Sequence, residues 1–351
     1  MAKGRIGLDI GSTAVRAAEL SGGPQPVVLR AAQVPLPDGA VESGEVRDTA
    51  LVGDALRELW QRGGFKSRQV WMGVGNQRVV VREIALPFLP EKELKASLGL
   101  QVQEYIPMSV DEAVLDYDPI GEFDQDDRKM LRMLLVAAQR AMVDQVVAAV
   151  QNAKLEPMGL DLVPFALVRA IGTPDLAMDL EEAGEEAIID VGAHVTNIVV
   201  HARGHTRFVR ILPSGGRDVT LAIARAVGVE DDVAERLKRG EDVEGAPVPD
   251  EVRDVARNRA SAFVDEIRSS LEFYTAQARD ARIGKVMLTG GGSKLDGLLE
   301  LMRQRITVPV DPGAVFQHVP SELSLSEEAA ADAEPVLAVA VGLAIPGVEK
   351  K

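Results

Sequence analysis

One pattern occurs twice in this chain, and it restricts the fold more than any other feature. Arg5-Ile6-Gly7-Leu8-Asp9-Ile10-Gly11-Ser12-Thr13 is an apolar run that delivers one carboxylate to a Gly-Ser-Thr turn. About half a chain later, Ala187-Ile188-Ile189-Asp190-Val191-Gly192-Ala193-His194-Val195-Thr196 repeats the arrangement. A second apolar run follows each copy, Ala14 to Leu20 and Asn197 to His201, so each reads as a β-hairpin. Two copies of one hairpin predict two similar α/β domains facing each other. Within each turn the glycine (Gly11, Gly192) frees the backbone to approach a bulky ligand. Hydroxyls at Ser12, Thr13 and Thr196 stand beside exposed turn amides, a concavity suited to phosphate. Asp9 and Asp190 are the candidate ligands, directly or through water, of a divalent cation between the domains.

Composition narrows the classes. The chain has 351 residues, 46% of them hydrophobic, and a formal charge of −15. That length and apolar content support a globular protein of two or three domains. The negative charge argues against nucleic-acid binding and against adsorption on anionic lipid. Cysteine is absent, which removes disulfides and thiolate chemistry. The four histidines (His194, His201, His205, His318) form no helical pair, so no zinc site is expected. Met1 to Gly4 leads straight into the first strand, and the apolar run Val336 to Pro346 is too short to cross a bilayer. A cytoplasmic protein without direct membrane insertion is expected.

Along the chain, strands are predicted at Gln25–Val34, Val70–Val74 and Arg78–Leu86, with a helix over Val46–Gly63 between them. Pro87-Phe88-Leu89-Pro90 then changes the character. A helix (Glu91–Tyr105), two strands (Val114–Asp118, Met130–Ala138) around an acidic turn at Gly121–Arg128, and a helix (Met142–Ala153) form a unit of their own, an α+β insertion at about 83–155. Pro157 to Leu162 reads as a strand and Val163 to Ile171 as a helix. Thr173 to Glu186 reads as an acidic connector, and Gly240 to Pro249 as an acidic loop. A long helix is predicted over Asp250–Asp280, a loose acidic stretch over Ser321–Glu334, and a small-residue helix over Pro335–Ile345.

Three further features join the two hairpins. Ser214-Gly215-Gly216 precedes a helix. Glu235 and Lys238 lie three apart, on one face of a short helix. Lys285 to Thr289 is a strand ending in Gly290-Gly291-Gly292-Ser293 before the helix Leu298–Arg305, an order that lets backbone lie against a nucleotide. Together these predict a clamp. The hairpins hold β- and γ-phosphates, Gly290 to Ser293 lies against the adenosine, and Glu235 and Lys238 reach the ribose and base edge.

These residues carry a resemblance. The segments at Gly7–Thr13, Ile189–Thr196 and Leu288–Ser293 resemble the first phosphate, second phosphate and adenosine motifs of the actin, sugar-kinase and heat-shock ATPase superfamily. Ala234-Glu235-Arg236-Leu237-Lys238 is similar to the Ala-Glu-x-x-Lys helix of bacterial actins. Within the superfamily, Gln103-Glu104-Tyr105-Ile106-Pro107-Met108 and the insertion around it resemble the PilM family of type IV pilus assembly proteins, which shares that insertion with the division protein FtsA.

The resemblance implies a duplicated actin-like (ribonuclease H-like) fold. Its first subdomain would be 1–82 completed by about 156–172 and 335–351. The insertion would be 83–155, and the second domain 173–334, with 217–280 as its helical part. ATP or ADP with Mg2+ is the implied ligand set, held by Asp9, Gly11, Ser12, Thr13, Asp190, Gly192, His194, Thr196, Gly215, Glu235, Lys238, Gly290, Gly291, Gly292 and Ser293. His194 stands where a small or amide residue is usual; a γ-phosphate contact and a solvent-facing role are both open. Asp161 is the candidate water-positioning carboxylate by position; a cap for the helix from Val163 is the plainer reading and the favoured one. Slow hydrolysis at most is expected.

The implied partners are the N-terminal cytoplasmic peptide of PilN and other inner-membrane proteins of a type IV pilus or related type II secretion complex. That peptide would recruit the chain to the membrane. Its groove is placed near Leu94, Leu98, Val102, Tyr105 and Ile106; the plainer reading is that this stripe packs the insertion's own sheet. Self-association stays open. The alternatives are an FtsA-like filament-forming ATPase and a small-molecule kinase of the same superfamily.

Overall fold

The computed structural model describes residues 4–173, 184–243, 248–277 and 281–347. The acidic connector, the acidic loop, the end of the long helix and the chain's tail therefore lie partly outside the described residues. The first half comprises β1 (Arg5–Ile10), β2 (Ala14–Leu20), β3 (Val28–Pro35), β4 (Val41–Glu42), β5 (Glu45–Val46), α1 (Thr49–Gly63), β6 (Gln69–Val74) and β7 (Val79–Pro87). It continues with α2 (Glu91–Val102), β8 (Ala113–Gln125), β9 (Arg128–Gln139), α3 (Arg140–Asn152), β10 (Glu156–Leu162) and α4 (Val163–Ile171). In the second half come β11 (Glu185–Val191), β12 (Thr196–Ala202), β13 (His205–Leu212), α5 (Gly216–Val227), α6 (Asp231–Lys238) and α7 (Asp250–Gln277). After these lie β14 (Ile283–Thr289), α8 (Leu298–Arg305), β15 (Val310–Pro312), α9 (Val315–His318) and α10 (Glu327–Ala344).

The two large sheets are one topology used twice. The first runs β10-β6-β1-β2-β3; the second, read from its far end, runs β15-β14-β11-β12-β13. In each an antiparallel meander lies to one side of the carboxylate strand and two parallel strands lie to the other. Even the register repeats, with Asp9 opposite Arg16 and Asp190 opposite Asn197. The duplication read from two short motifs therefore extends over whole sheets.

Local chemistry explains the flanking helices. Asp48 caps α1, its carboxylate accepting from Ala50 N at 2.8 Å and Leu51 N at 3.0 Å, and Gly64 ends the helix at φ +62°. The buried face of α1 (Val52, Leu56, Leu59) then packs with that of α3 (Met142, Val146, Val150) beneath the first sheet. Between the sheets lie α4 and α10. Ala166, Ile171, Ala338 and Ala340 share one apolar cluster with Ile188, Val199 and Met287 of the second sheet. Small residues set that approach. A Cβ on Gly7 would stand 2.0 Å from the Ala340 carbonyl, and one on Gly342 would stand 2.0 Å from that of Ala166.

The acidic stretch expected to be loose is helical from Glu327. Ser326 accepts from Ala329 N, and Glu327 and Glu328 occupy the first turn, where the helix dipole favours carboxylates. Pro335 lies inside α10 rather than at its start. Its carbonyl instead receives Gly290 N at 3.0 Å and the Thr289 hydroxyl at 3.2 Å, tying α10 to the glycine run.

The insertion is a three-stranded sheet, β7-β9-β8, with α2 on one face. Leu94, Leu98 and Val102 seat that helix on Ile84, Leu131, Met133 and Leu135. Most of the expected acidic turn is strand. Only Asp126 and Asp127 turn the chain, at φ +50° and +59°, angles that short polar side chains tolerate. Immediately after β9, α3 joins the insertion back to the first sheet's core.

Candidate functional site

The two carboxylates meet where the sheets face each other. Both turns close with the same hydrogen bond, Gly11 N to Ala14 O at 3.1 Å and Gly192 N to Val195 O at 2.9 Å. The amides of Ser12, Thr13, Ala193 and His194 make no backbone hydrogen bond among the described residues. In the second turn the cause is visible. The carbonyls of Gly192 and Ala193 accept Gly216 N (2.9 Å) and Arg217 N (2.8 Å), so they point at the start of α5. A trans peptide aims its N–H opposite its C=O, so the Ala193 and His194 amides point away from α5. The N-terminal amides of α5 are thereby used within the protein, and Gly215 N is taken by Asp218 Oδ2 at 3.0 Å. Gly215 thus supports the turn rather than offering its amide.

Gly11 is not in the left-handed region. A Cβ there would stand 3.0 Å from Ala14 O and 3.1 Å from the Arg16 guanidinium, so a larger residue would press on the turn and on Arg16 rather than strain a special φ. Thr196 is buried and donates its hydroxyl to Ser214 O at 2.8 Å, holding the next loop; Thr13 is exposed.

Burial pushes the Asp9 carboxyl up, against the lowering pull of Arg16, whose guanidinium is 3.3 Å from Asp9 Oδ2. Arg16 also reaches Gln33 Oε1 at 2.8 Å. Asp190, 8% exposed, is pushed up to about 6. Burial is the main cause, the Asn197 hydrogen bond (3.1 Å) opposes it, and the charge of Asp9 adds to it. Two dehydrated carboxylates that repel one another would be relieved by a cation. Asn197 Oδ1 is buried with no hydrogen-bond partner, so the site also has an unused acceptor. Among the described residues no group of three or more His, Asp or Glu could hold a metal. A cation at Asp9 and Asp190 would need ligand oxygens and water, the usual Mg2+ arrangement. On these observations the donor set fits a metal-bound phosphate.

The glycine run and the short helix also converge. Gly290 takes φ +88°; a Cβ there would lie 2.5 Å from Asp190 Oδ1 and 2.4 Å from Val191 O, and one on Gly292 would lie 2.4 Å from Val191 Cγ1. These two glycines let the run lie directly on the Asp190 strand, whereas Gly291 is open apart from Val336. The Ser293 hydroxyl closes the turn on Gly290 O at 2.7 Å. Across from it, Lys238 Nζ binds Glu235 (2.6 Å), Thr220 Oγ1 (2.9 Å) and Gly216 O (3.2 Å). Burial lowers the Lys238 ammonium pKa, against Glu235, while the ion pair and Thr220 hold Glu235 below the usual carboxylate range despite burial. Gly215, Gly216, Asp218, Val219, Arg259, Gly292 and Leu295 line a pocket between the run and α5, with Arg259 and Asp218 paired at 3.3 Å.

Other candidates sit differently. Asp161 accepts Leu162 N at 2.7 Å and pairs with Arg169 in the last turn of α4, so it staples that helix. Its carboxylate does not accept from the first helical amides as a cap would. His194 accepts Ser43 N at 3.3 Å on Nδ1, and burial, then Arg217, lowers its pKa. Of the groove candidates, Leu94, Leu98, Val102 and Ile106 are buried in the insertion's own core, with Tyr105 partly buried against it. Leu94, Leu98 and Val102 hold α2 to its sheet, and Ile106 packs into the same core just beyond the helix. Arg16 and Asn197 escaped the sequence reading. Their signal was the equal spacing, each seven residues after its aspartate.

Two copies of one sheet, each presenting a carboxylate hairpin to a shared cleft, define an actin-like fold. EutJ of Carboxydothermus hydrogenoformans (TM-score 0.59, 17% identity, covering 98% of this chain and 90% of that one) shares it. So does MreB5 of Spiroplasma citri, solved with ADP (TM-score 0.53, 13% identity, 97% and 94%). More specifically, the model of the type IV pilus assembly protein PilM family matches residues 7–348, and the chain belongs to that family. A chain of a solved PilM–PilN type IV pilus biogenesis complex is 30% identical, with a TM-score of 0.85 over 98% of both chains. Similarity also extends to the cell division protein FtsA. Identity is 24% with that of Pseudomonas aeruginosa, over 99% of this chain and 89% of that one. With that of Bacillus subtilis it is 23%, over 76% and 68%.

Proposed function

We propose that this chain is a nucleotide-binding platform of the type IV pilus inner-membrane complex, holding ATP or ADP with Mg2+ and taking the N-terminal cytoplasmic peptide of a PilN-like partner. The observation that carries it is the fit, over nearly the whole of both chains, to a protein solved as a PilM–PilN complex. Asp9 and Asp190 would hold the cation through water, with the Ser12–Thr13 and Ala193–His194 amides around the phosphates. Gly291, Glu235 and Lys238 would border the nucleoside. The bound cation would screen the phosphates from the two carboxylates. The engagement of Asp161 by Arg169 supports a site that holds nucleotide rather than one that turns it over quickly.

An extended peptide would gain backbone pairing along a sheet edge and pockets for alternate side chains. Since the stripe on α2 is largely buried, this reading takes the partly exposed Tyr105, beside the stripe, as the edge of the groove. Among the described residues no helix is long and apolar enough to cross a membrane, which suits recruitment through such a partner. The test is a calorimetric titration with the N-terminal peptide of the organism's own PilN, with and without Mg-ATP. Saturable 1:1 binding whose affinity changes with nucleotide is expected. Absence of binding in both conditions overturns the partner reading.

A further inference from the structure

The second phosphate turn touches the first domain at three nearby points. His194 Nδ1 accepts Ser43 N at 3.3 Å. Ser43 and Gly44 form the tip of the β4–β5 hairpin, at φ +51° and +75°, the left-handed pair that a two-residue hairpin turn requires. Val195 lies over Gly44, where a Cβ would stand 3.5 Å from Val195 Cγ2. Asn197 crosses to Gly75, where a Cβ would stand 2.8 Å from its Oδ1.

On the first-domain side these points are one rigid piece. Asn76 is fully buried and donates Nδ2 to Gly44 O at 2.8 Å. Its Oδ1 accepts Arg78 N at 2.9 Å, and its carbonyl accepts Val79 N at 3.0 Å. Hairpin tip, Asn76 and the first residue of β7 are thus bonded in series, and β7 is the strand that enters the insertion.

We infer that His194 is a positioning residue: with Ser43–Gly44 and Asn76 it forms a latch between the domains, through which the state of the second phosphate turn reaches β7 and the insertion. The coupling half of this inference rests on the nucleotide reading above; the latch itself does not. A ring that accepts on Nδ1 is neutral and carries its proton on Nε2, so the latch works in the uncharged form. The side chain at this position thereby acquires a role. It is long enough to span to the hairpin, where alanine is not.

Hydrogen exchange on the full chain tests this, comparing wild type, His194→Ala and His194→Gln, nucleotide-free and at saturating Mg-ATP, with thermal shift alongside. Exchange across α7 serves as the reference for intact folding. Without nucleotide, His194→Ala should speed exchange over residues 41–46 about fivefold, the effect of one net hydrogen bond, and His194→Gln, which keeps an acceptor, should stay near wild type. With Mg-ATP, residues 76–81 should slow in wild type and His194→Gln but not in His194→Ala. Equal exchange of 41–46 in wild type and His194→Ala overturns the latch. A β7 response surviving in His194→Ala overturns the coupling. If Mg-ATP leaves wild-type melting unmoved, the nucleotide reading fails, and the nucleotide-free comparison still decides the latch.

Discussion

Asp190 is the side chain whose surroundings make the sharpest demand. Its folded-state pKa, about 6, lies above the ordinary 3.8. Between those values the metal-free folded protein holds a proton that the unfolded chain releases, so stability falls as pH rises through that window. The difference of about two units corresponds to roughly 3 kcal/mol of unfavourable burial at pH 7.5. Metal-free Asp190→Asn should therefore melt above wild type at pH 7.5, with the gap closing near pH 4. It should also lose the stabilisation that Mg-ATP confers. A lower melting point for Asp190→Asn at pH 7.5 would contradict this. For Arg16 the expectation has the other sign. Its loss leaves Asp9 without its cation, and Arg16→Ala should cost the metal-free protein about 2–4 kcal/mol by denaturant titration.

Helix α2 and helix α10 show how different faces fail. Leu98 is 6% exposed beneath α2, so Leu98→Ala should cost about 2–5 kcal/mol through loss of apolar contact and a cavity. The damage should appear as faster hydrogen exchange within the insertion, with the Mg-ATP thermal shift retained. In α10 the failure is overpacking. Gly342→Ala forces a methyl against the Ala166 carbonyl and should lower the melting temperature by separating α10 from α4. The α2 stripe illustrates why such faces are ambiguous in sequence. Leu94, Leu98 and Val102 recur at helical spacing whether the face meets a partner or its own sheet, and periodicity reports burial without naming what does the burying. The β4–β5 hairpin escaped for another reason. Strands of two residues carry no period, and only the Ser43-Gly44 pair marked the turn.

For the molecule as a whole, the cleft puts half of the site on each sheet. A ligand that bridges Asp9 and Asp190 couples the halves, so the two carboxylates act as one unit. Asp9→Ala and Asp190→Ala should each abolish Mg-ATP stabilisation, and the double variant should lose no more than either single one. Additive partial losses, measured by ligand-induced melting shifts, would mean that the two hairpins bind separately.

The chain by itself determined the duplication, the two carboxylate hairpins, the glycine run and the Glu235–Lys238 helix. Each is local, a strand pattern or a turn chemistry written in consecutive residues. A change of pattern after Pro87 marked a separate unit, but not its limits: β7 before it pairs into that unit's sheet, and α3 packs into the first sheet's core. Only the tertiary structure decided what lies across the cleft. Arg16 beside Asp9, Asn197 beside Asp190 and Ser43 against His194 are pairings between strands or domains, and no local periodicity records them. It also decided why particular glycines stand where they do. Gly290 and Gly292 answer to the strand beneath them, and Gly7 and Gly342 to α10 and α4, because a missing Cβ has meaning only once its neighbour is in place.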